Sequence, residues 1–168
     1  MKIAKVISGG QTGADQAGLF AGRACGIETG GKAPKGWRTE KGSAPWLKDY
    51  GLSQSGSSAY PPRTEYNVST SDLTIVLGNH KSPGCKLTIR HCRGYERDYL
   101  VVNNFDDRDF VKCYLHIMNE MPGGLIVNIA GNREESTPGI GKKAERFLIR
   151  LFNKVNEDYE IARRLTHS

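Results

Sequence analysis

Short apolar runs alternate with stretches of helical periodicity along the chain. The apolar runs predict five strands: Ile3 to Ile7, residues 27–29, Asp72 to Leu77, Tyr99 to Val102 and Leu125 to Ala130. A period near 3.6 predicts helices between them: Ala14 to Ala24, a short helix or turn at Thr64 to Ser69, Cys85 to Arg93, a segment from Asp107 or Asp109 to about Glu120, and a last helix from near Pro138. Residues 30–62, rich in Gly, Ser and Pro, predict a long ordered loop.

Apolar strands that alternate with helices are typical of a parallel sheet covered on both faces. We therefore expect an α/β fold, a Rossmann-like three-layer sandwich with a mostly parallel sheet of about five strands. The 168 residues suffice for a single domain, with a core over about 3–156 and a C-terminal helical extension or tail over 157–168. Small, polar segments follow the predicted strands, so the ligand site is expected at the carboxyl edge of the sheet.

Composition and charge limit the kinds of molecule that the protein is expected to bind. The net charge of +6 favours an anionic partner, but the Lys and Arg residues are dispersed, so a small phosphorylated ligand ranks above nucleic acid, for which no specific binding is expected. No apolar run reaches the length of a membrane span. With no export signal at the N-terminus, we expect a cytoplasmic protein whose four cysteines are free thiols.

The segment between the first strand and the first helix is the sharpest candidate site. Its backbone N–H groups can converge on an anion at a helix N-terminus, and its candidate binding residues are Gly9, Gly10, Gln11, Thr12, Gly13 and Asp15. It is not a Walker A loop, because no Lys-Ser/Thr pair follows the final glycine. Asp15 has three open interpretations: a helix cap, a ligand contact, or a general acid or base.

Further candidates lie in other segments that follow predicted strands or precede helices. They are Gly31, Lys32, Arg63, Gly84, Asn132, Arg133 and Ser136. The basic loop that holds Lys32, Lys35 and Arg38 is expected to supply at least one phosphate contact. Cys85, His91 and Cys92 lack the paired spacing of a metal site, so no metal ligand is expected.

Four segments together resemble the family of proposed molybdenum cofactor carriers, the circularly permuted YpsA-like branch of the SLOG superfamily. They are ISGGQTGADQAG at 7–18, TGGKxPKG at 29–36, RTEYNV at 63–68 with SD at 71–72, and NxAGxRE at 128–134. The resemblance covers about residues 3–152. It implies a Rossmann-like fold, a homo-oligomer (dimer or tetramer), and a nucleotide-derived or pterin-phosphate ligand at the rim of the sheet.

Two functions follow from the resemblance. The leading hypothesis is a non-catalytic binding protein for a phosphorylated nucleotide-derived or pterin-type ligand, which either carries molybdenum cofactor or sequesters a nucleotide signal. The alternative is a nucleoside-monophosphate phosphoribohydrolase. Related LOG enzymes cleave the N-glycosidic bond with a glycine-rich loop that holds a Thr and a following Glu, and Asp15 lies near that Glu position. Asp15 would be the catalytic residue of such an enzyme.

Overall fold

A parallel sheet organises the chain, whose residues 1–168 are all described by a computed structural model. The strands are β1 (Ile3–Ser8), β2 (Glu28–Ala33), β3 (Arg38–Thr39), β4 (Gly42–Ser43), β5 (Leu52–Gln54), β6 (Leu73–Leu77), β7 (Asp98–Val102) and β8 (Leu125–Gly131). The helices are α1 (Ala14–Ala24), α2 (Tyr60–Ser69), α3 (Pro83–Gly94), α4 (Asp107–Glu120) and α5 (Ile140–Thr166), with a 3₁₀ helix at Pro45–Tyr50.

The main sheet has six strands in the order β5-β2-β1-β8-β6-β7, and every neighbouring pair is parallel. Val6 of β1 lies opposite Thr29 of β2 on one side and Val127 of β8 on the other. From β1 the chain continues to one side through β2 and β5, whereas β6 and β7 lie on the far side of β8. The direction of winding therefore changes between β1 and β8, which is where open α/β sheets place a ligand crevice.

Two helical layers cover the sheet. α1, α4 and α5 pack together on one face, and α2 packs against α3 on the other. Neighbouring residues of β6 divide between the faces: Ile75 joins the large core under α1, α4 and α5, and Val76 packs with Cys85 and Ile89 of α3. The apolar positions of α5 follow the predicted helical period, and Leu148, Leu151 and Phe152 are fully buried. None of the helices has both the length and the apolar character needed to cross a bilayer.

The predicted fold class is confirmed, the structure adds one strand to the five predicted, and the prediction of one long loop over residues 30–62 is wrong. The sheet has six strands because β5, with only Leu52 buried among three residues, adds to the edge of β2. Residues 30–62 are not one long loop, since they hold the end of β2, the β3–β4 hairpin, the 3₁₀ helix, β5 and the first turn of α2. Neither β5 nor the hairpin is long enough to show a period in sequence. α5 continues to Thr166, so residues 157–166 extend the last helix.

Candidate functional site

A cleft of about 90 Å³ opens at the carboxyl ends of β1 and β8. The loop after β1 and the first turn of α1 contribute Gly9, Gln11 and Asp15, and the end of β8 and the loop after it contribute Asn128, Gly131 and Arg133. On the α2–α3 side the wall includes Tyr60, Arg63, Thr64, Asn67, Gly84 and Thr88. The cleft therefore lies at the crevice that the strand order marks.

A buried ion pair forms one wall of the cleft. Arg63 Nη1 donates to Asp15 Oδ2 at 2.9 Å, and the two side chains are 12% and 6% exposed. The same Oδ2 accepts a hydrogen bond from the backbone N–H of Gln11 at 3.2 Å. Burial raises the pKa of the Asp15 carboxyl, and the charge of Arg63, the Gln11 N–H and the charge of Arg133 all act in the opposite direction.

Gly9 makes room for this pair. A Cβ at Gly9 would lie 2.8 Å from Cδ of Arg63 and closer still to its guanidinium. The absent side chain thus lets Arg63 lie flat against the loop backbone and reach Asp15. The Asp15 carboxylate consequently accepts from one of the backbone N–H groups of the glycine-rich loop, that of Gln11.

Three arginines converge on one aromatic ring beside the cleft. The guanidinium carbons of Arg38, Arg63 and Arg133 lie 4.8, 5.5 and 4.7 Å from the centre of the Tyr60 ring. Only Arg63 has a carboxylate partner. Arg38 donates to the carbonyl of Ser58, and neither Arg38 nor Arg133 forms an ion pair. Two exposed guanidiniums without carboxylate partners therefore flank the half-buried ring.

The Gln11 side chain ends in an unpaired donor. Its Oε1 accepts hydrogen bonds from the backbone N–H of Thr12 at 3.0 Å and of Glu40 at 2.9 Å. Its Nε2 is buried and has no hydrogen-bond partner, and the same holds for Nε of Arg63. Buried donors in native proteins are almost always paired, so two unpaired donors that line one cleft mark a place where a ligand can bind.

The start of α3 forms another part of the wall. Ser82 caps the helix by accepting from the N–H of Cys85 at 3.4 Å, and Pro83 occupies the first turn. A Cβ at Gly84 would meet nothing within 4 Å, so the backbone is open toward the cleft here. The partial positive charge of a helix N-terminus adds to that of the arginines.

A hairpin, residues 34–44, folds across the loop after β1, and we call it the arm. Its Glu40 carboxylate accepts hydrogen bonds from the Thr12 hydroxyl and, at 3.1 Å, from the N–H of Glu135. The arm thereby joins the loops that follow β1 and β8, and it carries Arg38 to Tyr60.

The model of the circularly permutated YpsA SLOG family matches residues 6–152. The chain belongs to this family. A crystal structure from Syntrophus aciditrophicus, of a protein named "Putative molybdenum carrier protein", superposes on the chain with a TM-score of 0.78. The two sequences are 31% identical, and the match covers 90% of this chain and 95% of the other. No curated protein sequence matches the chain.

In this SLOG family member, six of the predicted site residues line the cleft: Gly9, Gln11, Asp15, Arg63, Gly84 and Arg133. The other predicted glycines have packing roles elsewhere. Gly13 has a φ of 80°, and a Cβ there would lie 2.5 Å from the carbonyl oxygen of Asn132. Gly10 packs against Leu47, and Gly31 lies against the backbone of Ser8.

The remaining predicted side chains make contacts outside the cleft lining. Lys32 Nζ lies 4.1 Å from the centre of the Tyr66 ring of α2. The Asn132 amide accepts from the N–H of Asn79 and donates to its carbonyl, so it braces the loop after β6. Ser136 is exposed and donates to the carbonyl of Arg133 at 3.2 Å. Thr12 contacts Glu40 of the arm.

Sequence reasoning did not select several residues of the cleft wall. Tyr60 is the centre of the arginine cluster, and the N-terminal turn of α2 that carries it lies in the segment that the sequence predicts as loop. Asn67 pairs with the backbone of Lys32 through both amide atoms, at 2.9 and 3.0 Å, which fixes α2 against β2. The RTEYNV segment holds Asn67 and was the one signal that could have found it.

The structure holds no group of three or more His, Cys, Asp or Glu side chains placed to bind a metal ion. Cys85 and Cys92 are buried, and burial raises the pKa of both thiols. Cys85 lies near Asn132, whose Nδ2 donates to its sulfur at 3.7 Å. These thiols fill space behind the cleft.

Proposed function

We propose that the protein binds a small phosphorylated ligand, nucleotide-derived or pterin-type, in the cleft between β1, β8, α2 and α3. The observation that carries this proposal is the convergence of Arg38, Arg63 and Arg133 on Tyr60. Guanidinium groups form strong, directional hydrogen bonds to phosphate oxygens, and the aromatic ring offers a surface for a planar heterocycle.

The charges of the cleft favour an anionic group. Asp15 neutralises Arg63, whereas Arg38 and Arg133 have no carboxylate partner. Two cations held near one ring repel each other unless an anion lies between them. A phosphate, with a charge near −2 at neutral pH, would compensate both.

Molybdenum cofactor is one candidate cargo. The structural relative from Syntrophus aciditrophicus carries the name of a molybdenum carrier, and the cofactor combines a pterin with a phosphate. We propose that this chain would hold such a molecule by its phosphate, at the arginines, because no cluster of side chains is placed to hold the metal directly. A nucleotide signal molecule would use the same contacts.

An enzymatic function is the second candidate, since a carboxylate lies in the wall of the cleft. Asp15 would serve as the general acid or base of a nucleoside-monophosphate phosphoribohydrolase. Incubation with common nucleoside monophosphates, followed by chromatography for the free base, separates the two functions. Release of base over many turnovers would replace the binding proposal with the enzymatic one.

The binding proposal is tested in two steps. Mass spectrometry of the small molecules that co-purify with the protein identifies a natural ligand, and calorimetry with nucleoside monophosphates and inorganic phosphate measures affinity. Arg133→Ala removes a hydrogen bond to a charged group, so it should cost about 1.5–3 kcal/mol, or roughly 10- to 150-fold in Kd.

Arg108→Ala is the matched control, because Arg108 is exposed on α4, on the other face of the sheet. It removes the same charge without touching the cleft and should bind as the wild type does. Equal affinities for Arg133→Ala and Arg108→Ala would show that the arginine cluster does not hold the phosphate.

A further inference from the structure

We propose, on the basis of the function proposed above, that Gln11 recognises the phosphate: its side-chain N–H donates to an oxygen of the bound oxyanion. The neighbouring Arg63 Nε donates to the same group. Gln11 is then a specificity-determining residue that requires an acceptor at one end of the ligand.

The orientation of the Gln11 amide is fixed by its surroundings. Oε1 accepts from two backbone N–H groups, those of Thr12 at 3.0 Å and Glu40 at 2.9 Å. A flipped amide would place N–H groups against both of these donors. The carbonyl end must therefore face the N–H groups of the loop and the arm, and the amide nitrogen must be the end without a hydrogen-bond partner.

That donor end has no partner in the protein. Gln11 is 5% exposed, and Nε2 is buried without a hydrogen bond. Because buried polar atoms are paired in nearly all native structures, we expect this nitrogen to donate to an acceptor from outside the chain. The residue lines the cleft, so a ligand in the cleft can supply one.

A second unpaired donor indicates what kind of acceptor fits. Nη1 of Arg63 is held by Asp15, but its Nε is buried and unpaired. A ligand on this wall therefore meets two donors. The one carboxylate that lines the cleft, that of Asp15, is already engaged by Arg63 and by the N–H of Gln11. A negatively charged group with several acceptor oxygens, such as a phosphate, satisfies both donors.

The arm has a defined part in this arrangement. The N–H of Glu40 is one of the two donors that orient the amide, and the Glu40 carboxylate ties the arm to Thr12. The arm thus acts on the ligand through Gln11, as a positioning element.

Gln11→Glu tests the proposal at a single atom. A glutamate keeps an oxygen for the N–H groups of Thr12 and Glu40, and it replaces the donor with a negatively charged oxygen that repels an oxyanion. Calorimetric titration of the purified full chain with inorganic phosphate and with guanosine monophosphate should show at least tenfold weaker binding of both by this variant.

Gln54→Glu is the matched control. Gln54 Oε1 also accepts from a backbone N–H, that of Gly36 at 2.6 Å, and the residue is exposed away from the cleft. The substitution makes the same chemical change and should leave both affinities within twofold of the wild type.

The outcomes separate the two proposals. If the wild type binds the probes and Gln11→Glu binds them with an affinity within twofold of the wild type, the role of Gln11 is overturned and the proposed function stands. Failure of the wild type to bind either probe would overturn the proposed function and this inference with it.

A measurement on the wild type decides the matter if Gln11→Glu does not fold. The side-chain amide resonances of Gln11 should shift on addition of phosphate, and those of Gln54 should not. Unshifted Gln11 resonances, in the presence of shifts at backbone groups of the cleft, would refute the contact.

Discussion

A methyl group added at Gly9 would compete for space with the side chain of Arg63. The Cβ of an alanine would lie 2.8 Å from Cδ of Arg63 and closer to its guanidinium, well inside normal contact distances. The loop backbone cannot retreat easily, because it is continuous with β1 in the centre of the sheet. Gly9→Ala should therefore push Arg63 off the loop and away from Asp15.

The cost of this displacement follows from the burial of the ion pair. Removing one partner of a buried pair costs about 3–5 kcal/mol, because the other charge stays buried without compensation. Arg63 retains 12% exposure and can swing into the open cleft, whereas Asp15 cannot leave its position in α1. We expect the lower end of the range, about 3 kcal/mol of unfolding free energy, together with loss of phosphate binding.

Urea denaturation at neutral pH measures this loss, and a double-mutant cycle assigns it. In an Asp15→Asn background no buried carboxylate remains to be stranded, so Gly9→Ala should cost clearly less. Gly94→Ala is the control: at the exposed end of α3 a Cβ meets nothing within 4 Å, and stability should stay equal or rise by up to about 1 kcal/mol. Equal costs of Gly9→Ala in both backgrounds would refute the link between this glycine and the ion pair.

Two further predictions concern the arm and the pH dependence of stability. Glu40→Ala removes two hydrogen bonds of the arm, so the unfolding free energy should fall by about 1–2 kcal/mol and phosphate should bind more weakly. Glu135→Ala, which keeps its backbone N–H, is the control, and wild-type affinity of Glu40→Ala would refute the positioning role. Because the pKa of Asp15 is raised above its ordinary 3.8, the folded state keeps a proton that the unfolded state has lost in the pH range between 3.8 and the raised value. The contribution of Asp15 to stability should therefore fall as pH rises from about 3.8 through the raised value, and denaturation of Asp15→Asn should lack that slope; a slope shared by both proteins would contradict this assignment.

The parts of the fold that sequence predicts are those with a long, regular pattern. β6 is buried along its whole length and β1 and β8 over more than half of theirs, and all three are largely apolar runs. α5 repeats its apolar positions over many turns. The arm and the 3₁₀ helix have no such period. They are held by tertiary contacts, such as the packing of Leu47 against Leu19 and Leu52, which local sequence does not encode.

The residues of the site also divide into those that the sequence predicts and those that it does not. Gly9, Gln11 and Asp15 could be predicted because they follow a central strand, and every parallel strand ends at the same edge. The sequence could not predict which cation of the basic segment reaches the cleft, because that depends on strand pairing and on packing. Lys32 lies within β2 and extends toward Tyr66, whereas Arg38 is carried to Tyr60 by the hairpin.

Asp15 is the residue at which binding and catalysis make different demands. A general acid or base needs an oxygen within reach of the proton that it transfers, but Oδ2 of Asp15 already accepts from Arg63 and from the N–H of Gln11, and the residue is 4% exposed. Proton transfer at Oδ2 would first require Arg63 to leave the loop, which would strand the buried carboxylate, so a catalytic role would rest on Oδ1, which accepts no hydrogen bond within the chain. Binding requires no such step, because the carboxylate then has only to hold Arg63 against Gly9 with its Nε toward the ligand. The engaged Oδ2 therefore supports the binding proposal over proton transfer at that atom, and the assay for released base is the measurement that decides between the two proposed functions.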